Sequence, residues 1–254
     1  MLECPAERSV ALNVVGAHEL GRSASIRIPG MRGRIGASMP FRVSPVQFIR
    51  GDERDHAISS LASYFTSGRF TGRKFEEYAD FEVPNAFTSL DLLAVTMLSV
   101  SIPAAVGIWL LEDGAARIKE LLADIPPAAR PWSDPALLNP GSAGWELWDL
   151  VRKQPGLGRT KTSKLLAVKR PNMFPIYDQH VGRALLASGA DSDWAAWAQC
   201  FEGHKGVDLA KECELLRHEA GVGADVSALR VLDVVIWMRV HGDIELSKRD
   251  RFWE

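Results

Sequence analysis

Apolar positions recur along most of the chain at intervals of three and four residues. Ile58, Leu61, Ala62 and Phe65 stand at i, i+3, i+4 and i+7 and predict a helix over 55–65. Thr88 followed by Asp91 reads as a capping box, with Asp in the place of the usual Glu, opening a helix over 89–100. Pro103 suits a first helical turn and starts the next helix, which ends near Gly114. Ile118, Leu121, Leu122 and Ile125 predict a helix over 115–125, and Pro126, Pro127, Pro131, Pro135 and Pro140 punctuate the connection after it. Trp145 and Trp148 share one face of a helix over 142–153, as do Trp194 and Trp197 further on, a spacing that suits core packing. The Pro155–Gly158 break is followed by helices over 159–169, 179–187, 193–201, 209–217 and 227–240. No alternating strand, internal repeat or low-complexity tract appears. The expected fold class is all-α, an array of packed helices.

Residues 1–40 lack a helical period, because Gly30, Gly33 and Gly36 alternate with scattered arginines. They read as a poorly ordered arm, either a basic extension or sequence upstream of the true start. The helical domain is expected over 41–254. Leu92–Leu111 is twenty residues without a charge, long enough for a membrane span. Thr96, Ser99, Ser101, Pro103 and Gly107 dilute it, and Glu112 and Asp113 follow instead of a basic flank, so buried core is expected and no membrane partner. No apolar signal segment opens the chain, which makes the cytoplasm the expected location. Cys4, Cys200 and Cys213 form no close pair, which argues against a disulfide scaffold, a four-cysteine zinc site or an iron–sulfur cluster. No metal or cofactor is expected, and no Walker loop, nucleophile elbow or dinucleotide fingerprint is present.

Charge changes this picture locally. The chain carries a net −2, yet residues 151–185 hold eight Lys and Arg against the single carboxylate Asp178, a local +7. Such concentration predicts a face for a polyanion, with a solvated surface balanced by other segments as the plainer alternative. Within it, Gly156-Leu157-Gly158 lies between two predicted helices. Two glycines permit a tight turn and a close backbone approach, and the amides at the next helix start suit a phosphate oxygen. Arg159, Thr160, Lys161 and Lys164 follow on that helix and are expected to add phosphate contacts.

Twenty residues after Gly158, Asp178 follows a proline-bounded loop and precedes a helix. With Pro155-Gly156-Leu157-Gly158 and Pro175-Ile176-Tyr177-Asp178-Gln179-His180-Val181 at this spacing, the chain resembles the helix-hairpin-helix DNA glycosylase superfamily, the endonuclease III-like proteins. Leu92–Ser99 is similar to that family's apolar barrel helix, and Val235–Gly242 to its late helix ending in His-Gly; the resemblance covers about residues 88–242. It implies a two-lobed helical protein with the hairpin at 142–170, duplex DNA as partner, and a target base extruded into a cleft for excision. Asp178 then corresponds to the essential aspartate, stabilising positive charge on the deoxyribose and orienting water. Tyr177, His180 and Ser101 are placed along the cleft by the same resemblance. Thr160 stands where bifunctional members carry a lysine, which implies a monofunctional hydrolase. Two alternatives stay open: a non-catalytic nucleic-acid-binding module, in which Asp178 only caps its helix, and a helical protein-interaction scaffold.

Overall fold

The computed structural model describes residues 44–185, 194–202 and 208–250. The predicted arm at 1–40 lies outside them, as do positions 186, 187 and 193 of two predicted helices. Eleven α-helices and four short 3-10 turns make up the regular structure of the described residues, which contain no strand. The helices are α1 (Arg54–Thr66), α2 (Phe75–Tyr78), α3 (Ser89–Met97), α4 (Ala104–Leu111), α5 (Ala115–Ala123), α6 (Ala143–Arg152), α7 (Arg159–Lys169), α8 (Gln179–Leu185), α9 (Trp194–Phe201), α10 (Leu209–Glu219) and α11 (Ala228–Asp250).

Local chemistry sets several of these boundaries. The capping box at α3 forms in both directions: Thr88 Oγ1 accepts from Asp91 N at 3.4 Å, and Asp91 Oδ2 accepts from Thr88 N at 2.8 Å. Ser142 caps α6 through Trp145 N, and Asp208 caps α10 through Lys211 N. α3 stops three residues before its predicted end because Ser99 enters the left-handed region at φ 58°. α11 runs ten residues beyond its predicted end at 240.

Two hydrophobic cores divide the described residues. One gathers the buried faces of α3 to α7, among them Val95, Leu110, Leu122, Leu147 and Leu166. The other gathers α1 and α8 to α11, among them Leu61, Val181, Leu216, Leu232 and Ile236. The tryptophan pairs go to packing as expected: Trp148 and Trp194 meet edge-on at 5.1 Å inside the first core. Pro103 separates α3 from α4, and no helix of the described residues is long and apolar enough to cross a membrane. The buried core expected in Leu92–Leu111 is seen at Ala94, Val95, Leu98, Val106 and Leu110, whereas Leu93, Leu111 and Ile108 (55% exposed) face outward.

α7 is the pivot of the fold. It packs on α3 and α6, and its residues from Thr162 to Lys169 are all buried. Its last residue and the one after it tie it down. Lys169 Nζ pairs with Asp91 at 2.5 Å and donates to the carbonyls of Asp80 and Val83. Arg170, with no exposed surface, donates to the carbonyls of Ile125, Pro84, Lys169 and Leu122 and to Asn85 Oδ1.

Candidate functional site

The connection between α6 and α7 turns where the sequence places its glycines, but the two glycines are not equivalent. Gly156 has φ +79°, a conformation costly for any residue with a Cβ, and a Cβ there would sit 3.0 Å from Pro103 Cγ. Gly158 has an ordinary extended backbone as the N-cap of α7, and a Cβ would meet nothing within 4 Å. The fold therefore requires glycine at 156 and not at 158. Leu157 between them is buried in the first core, so only its backbone faces outward. The first amides of α7, unpaired within the helix by geometry, lie beside exposed Gly158.

The same helix start reaches the Asp178 loop. The Arg159 guanidinium lies 3.8 Å over the Tyr177 ring, a close cation–π contact. The rim of that ring abuts Gly182 so tightly that a Cβ there would fall 2.5 Å away. Ser163 Oγ accepts from Tyr177 N at 2.9 Å and donates to the Thr160 carbonyl at 3.0 Å. Tyr177 is thus packed as a strut between the turn and Asp178. Asp178 itself is half-buried, and its carbonyl accepts from Gly182 N as α8 begins.

Asp178 faces a cavity of about 350 Å³. α7 contributes Lys164 to its wall, α11 contributes Arg230, Asp233 and Trp237, and the end of α3 contributes Leu98 and Ser99. Leu98 belongs to the first core and Trp237 packs against the second. Aromatic rings build one side: Tyr64 stacks on Phe70 at 5.2 Å, Phe70 meets Trp237 edge-on at 5.7 Å, and Trp237 stacks on His241 at 4.5 Å. The left-handed Ser99 is the only non-glycine residue with positive φ among the described residues, and such strain clusters at functional sites.

Charged groups line the same cavity. Arg230 donates to Glu76 Oε1, Asp233 Oδ2, Tyr64 Oη and the Gly72 carbonyl, all within 3.0 Å. Burial pushes the Glu76 and Asp233 carboxyls up, and Arg230 pulls them back in part. Burial also works against the Arg230 charge, but Tyr64, Glu76 and Asp233 around it hold its pKa above the ordinary range. Lys164, 5% exposed, donates from Nζ to the Leu98 carbonyl at 2.8 Å. Burial holds its pKa below the usual lysine range, opposed by the charges of Asp178 and Asp233.

These positions correct the sequence reading of a broad basic face. Lys164, Lys169 and Arg170 contribute to the local +7, yet all three are buried. Lys164 is therefore a cavity residue and makes no outer phosphate contact. The half-exposed or exposed positives near the turn are Arg152, Lys153, Arg159 and Lys161, and Lys153 pairs with Asp149. Thr160 is half-buried beside them. Ser101 is exposed and lies off the cavity, where Ser99 stands instead. The His180 side chain lies outside the described part of the structure. Burial pushes the Cys200 thiol up to about 12, which removes it as a nucleophile. Sequence reasoning missed Arg230 and Asp233, although two opposite charges three apart inside the apolar run 226–238 were the available signal.

Residues 57–240 match a family of unknown function, DUF6308. The chain belongs to that family. The matched region takes in the glycine turn, Asp178 and every charged group of the cavity. No curated protein and no solved structure matches the chain.

Proposed function

We propose that this DUF6308 protein binds duplex DNA through the α6–α7 turn and receives an extruded base in the cavity beside Asp178, as a glycosylase-like hydrolase of the N-glycosidic bond. The observation that carries the reading is the mechanical link between turn and carboxylate. Arg159 over Tyr177 and Ser163 on the Tyr177 amide join the start of α7 to the residue preceding Asp178. A phosphate held by the amides after Gly158 would thus fix the duplex at a set distance from the carboxylate. The helix-hairpin-helix resemblance of 155–158 and 175–181 supports the same assignment.

In this reading the base enters against the Phe70–Trp237 wall, where a planar ring finds stacking surface. Asp178 stands as the carboxylate that stabilises positive charge at the sugar as the C1′–N bond breaks. It orients a water whose oxygen bonds to C1′ and whose proton leaves with the base. Thr160 at the helix start supplies no amine, so hydrolysis is assigned in preference to strand cleavage.

Fluorescence anisotropy across a salt series tests this with an intact duplex and one carrying an abasic analogue. The expected result is salt-dependent binding with a preference for the abasic duplex, because extrusion costs less there. Asp178→Asn should retain general duplex binding while altering the preference. Equal affinity for both duplexes, unaffected by Asp178→Asn, would favour a non-catalytic binding module. Absence of binding at low salt would overturn the nucleic-acid reading.

A further inference from the structure

Lys164 and Asp233 are nine-tenths buried or more, carry opposite charges, and face one cavity, yet no ion pair joins them. Lys164 Nζ donates once, to the Leu98 carbonyl, and an ammonium has three N–H groups. Asp233 engages Arg230 through Oδ2, no hydrogen bond to Oδ1 is present among the described residues, and the residue lines the cavity. The further N–H groups of Lys164 and the second oxygen of Asp233 are thus polar positions at the cavity that a ligand can engage. Phe70 and Trp237, two aromatic rings that meet edge-on, line the same cavity. A donor, an acceptor and an aromatic face together suit a planar ring with polar edges.

We propose that the cavity recognises a planar heterocycle by its lactam edge, with Lys164 Nζ donating to the ring carbonyl oxygen and Asp233 Oδ1 accepting from the adjacent ring N–H. The ammonium favours a carbonyl oxygen over a ring nitrogen, so bases of the hypoxanthine, uracil and guanine type fit. Adenine and cytosine, whose matching edge pairs an amino group with a ring nitrogen, fit less well. For a base carried in DNA, this assignment rests on the reading above; the recognition itself concerns only the cavity.

Binding is measured by anisotropy on duplexes in which hypoxanthine, uracil, adenine or cytosine stands opposite an abasic analogue, so that pairing strength drops out. An intact, fully paired duplex without any abasic analogue serves as control. Hypoxanthine and uracil are expected to bind roughly tenfold tighter than adenine and cytosine. Lys164→Gln and Asp233→Asn should erase that difference and leave the control affinity unchanged. Asp233→Asn weakens the Arg230 network, so its urea midpoint is compared with the parent, and Lys164→Gln carries the conclusion if the Asn variant is unfolded. Tight control binding with no preference among the four bases overturns the lactam assignment and leaves the DNA reading standing. If no duplex binds, the DNA reading falls, and equilibrium dialysis against free hypoxanthine and adenine decides the assignment. Retention of hypoxanthine that Lys164→Gln abolishes upholds it, and equal or absent retention overturns it.

Discussion

Replacing each glycine of the α6–α7 turn by alanine separates what the fold needs from what a ligand needs. At Gly156 the left-handed backbone costs an alanine about 1–2 kcal/mol. The 3.0 Å approach to Pro103 Cγ forces a further small shift, bringing the loss to about 2–3 kcal/mol. For a domain of this size, that lowers the melting temperature by about 4–10 °C. At Gly158 the backbone is already suited to alanine and the added methyl meets no atom within 4 Å. Alanine is a poorer N-cap than glycine by about 0.5 kcal/mol, while the stiffer unfolded chain returns about the same amount. The net change is expected to lie within about 0.5 kcal/mol. Binding reverses the order of severity. If a phosphate sits at this turn, a methyl on residue 158 obstructs its approach and should weaken duplex binding about tenfold, or about 1.4 kcal/mol. Urea denaturation and anisotropy on the same two variants provide the comparison. A Gly158→Ala protein of unchanged stability and unchanged affinity would refute the claim that a phosphate sits at this turn.

Other expectations follow from groups already described. Arg170→Met removes five hydrogen bonds and leaves four carbonyls, three of them buried, short of a donor, a loss of about 3–5 kcal/mol visible as a lower urea midpoint. Tyr177→Leu should keep the fold and general duplex binding while reducing the preference for an abasic analogue, because the strut under Arg159 is gone; an unchanged preference would argue against the link. Burial holds Lys164 below the usual lysine range, so the unfolded chain keeps this proton to higher pH than the folded one. Its contribution to stability is therefore complete above the unfolded pKa, and is lost as pH falls through the folded value. Relative to Lys164→Met, the parent protein should gain stability as pH rises toward that window, measured by urea midpoints at successive pH values.

Most helices were legible because period, caps and breakers agreed. α7 begins and ends where the glycine turn and Pro171 predict, and the Thr88–Asp91 box forms as read. The end of α3 was not legible, because serine rarely adopts the left-handed conformation that stops the helix at Met97. The short α2 was equally hidden, as its four residues are too few to show a period. Charge misled most. A sequence counts lysines but does not show their partners, and Lys164, Lys169 and Arg170 spend their donors on carbonyls 45 to 89 residues away. For the same reason the cavity could not be assembled from local pattern. Lys164 meets Leu98 across 66 residues, and Arg230 meets Glu76 across 154. What the motifs did locate was the turn and Asp178, the two ends of the link now seen through Tyr177.

Whether a base leaves the duplex and enters the cavity beside Asp178 is read by fluorine NMR. A duplex carrying one 5-fluorouracil is titrated with the protein, then with Trp237→Leu, which removes one ring of the aromatic wall. An extruded base gives a new bound resonance, away from the stacked position and moved again by Trp237→Leu, since the fluorine would sit against that ring. A bound duplex whose resonance stays in the stacked range and ignores the substitution would contradict extrusion.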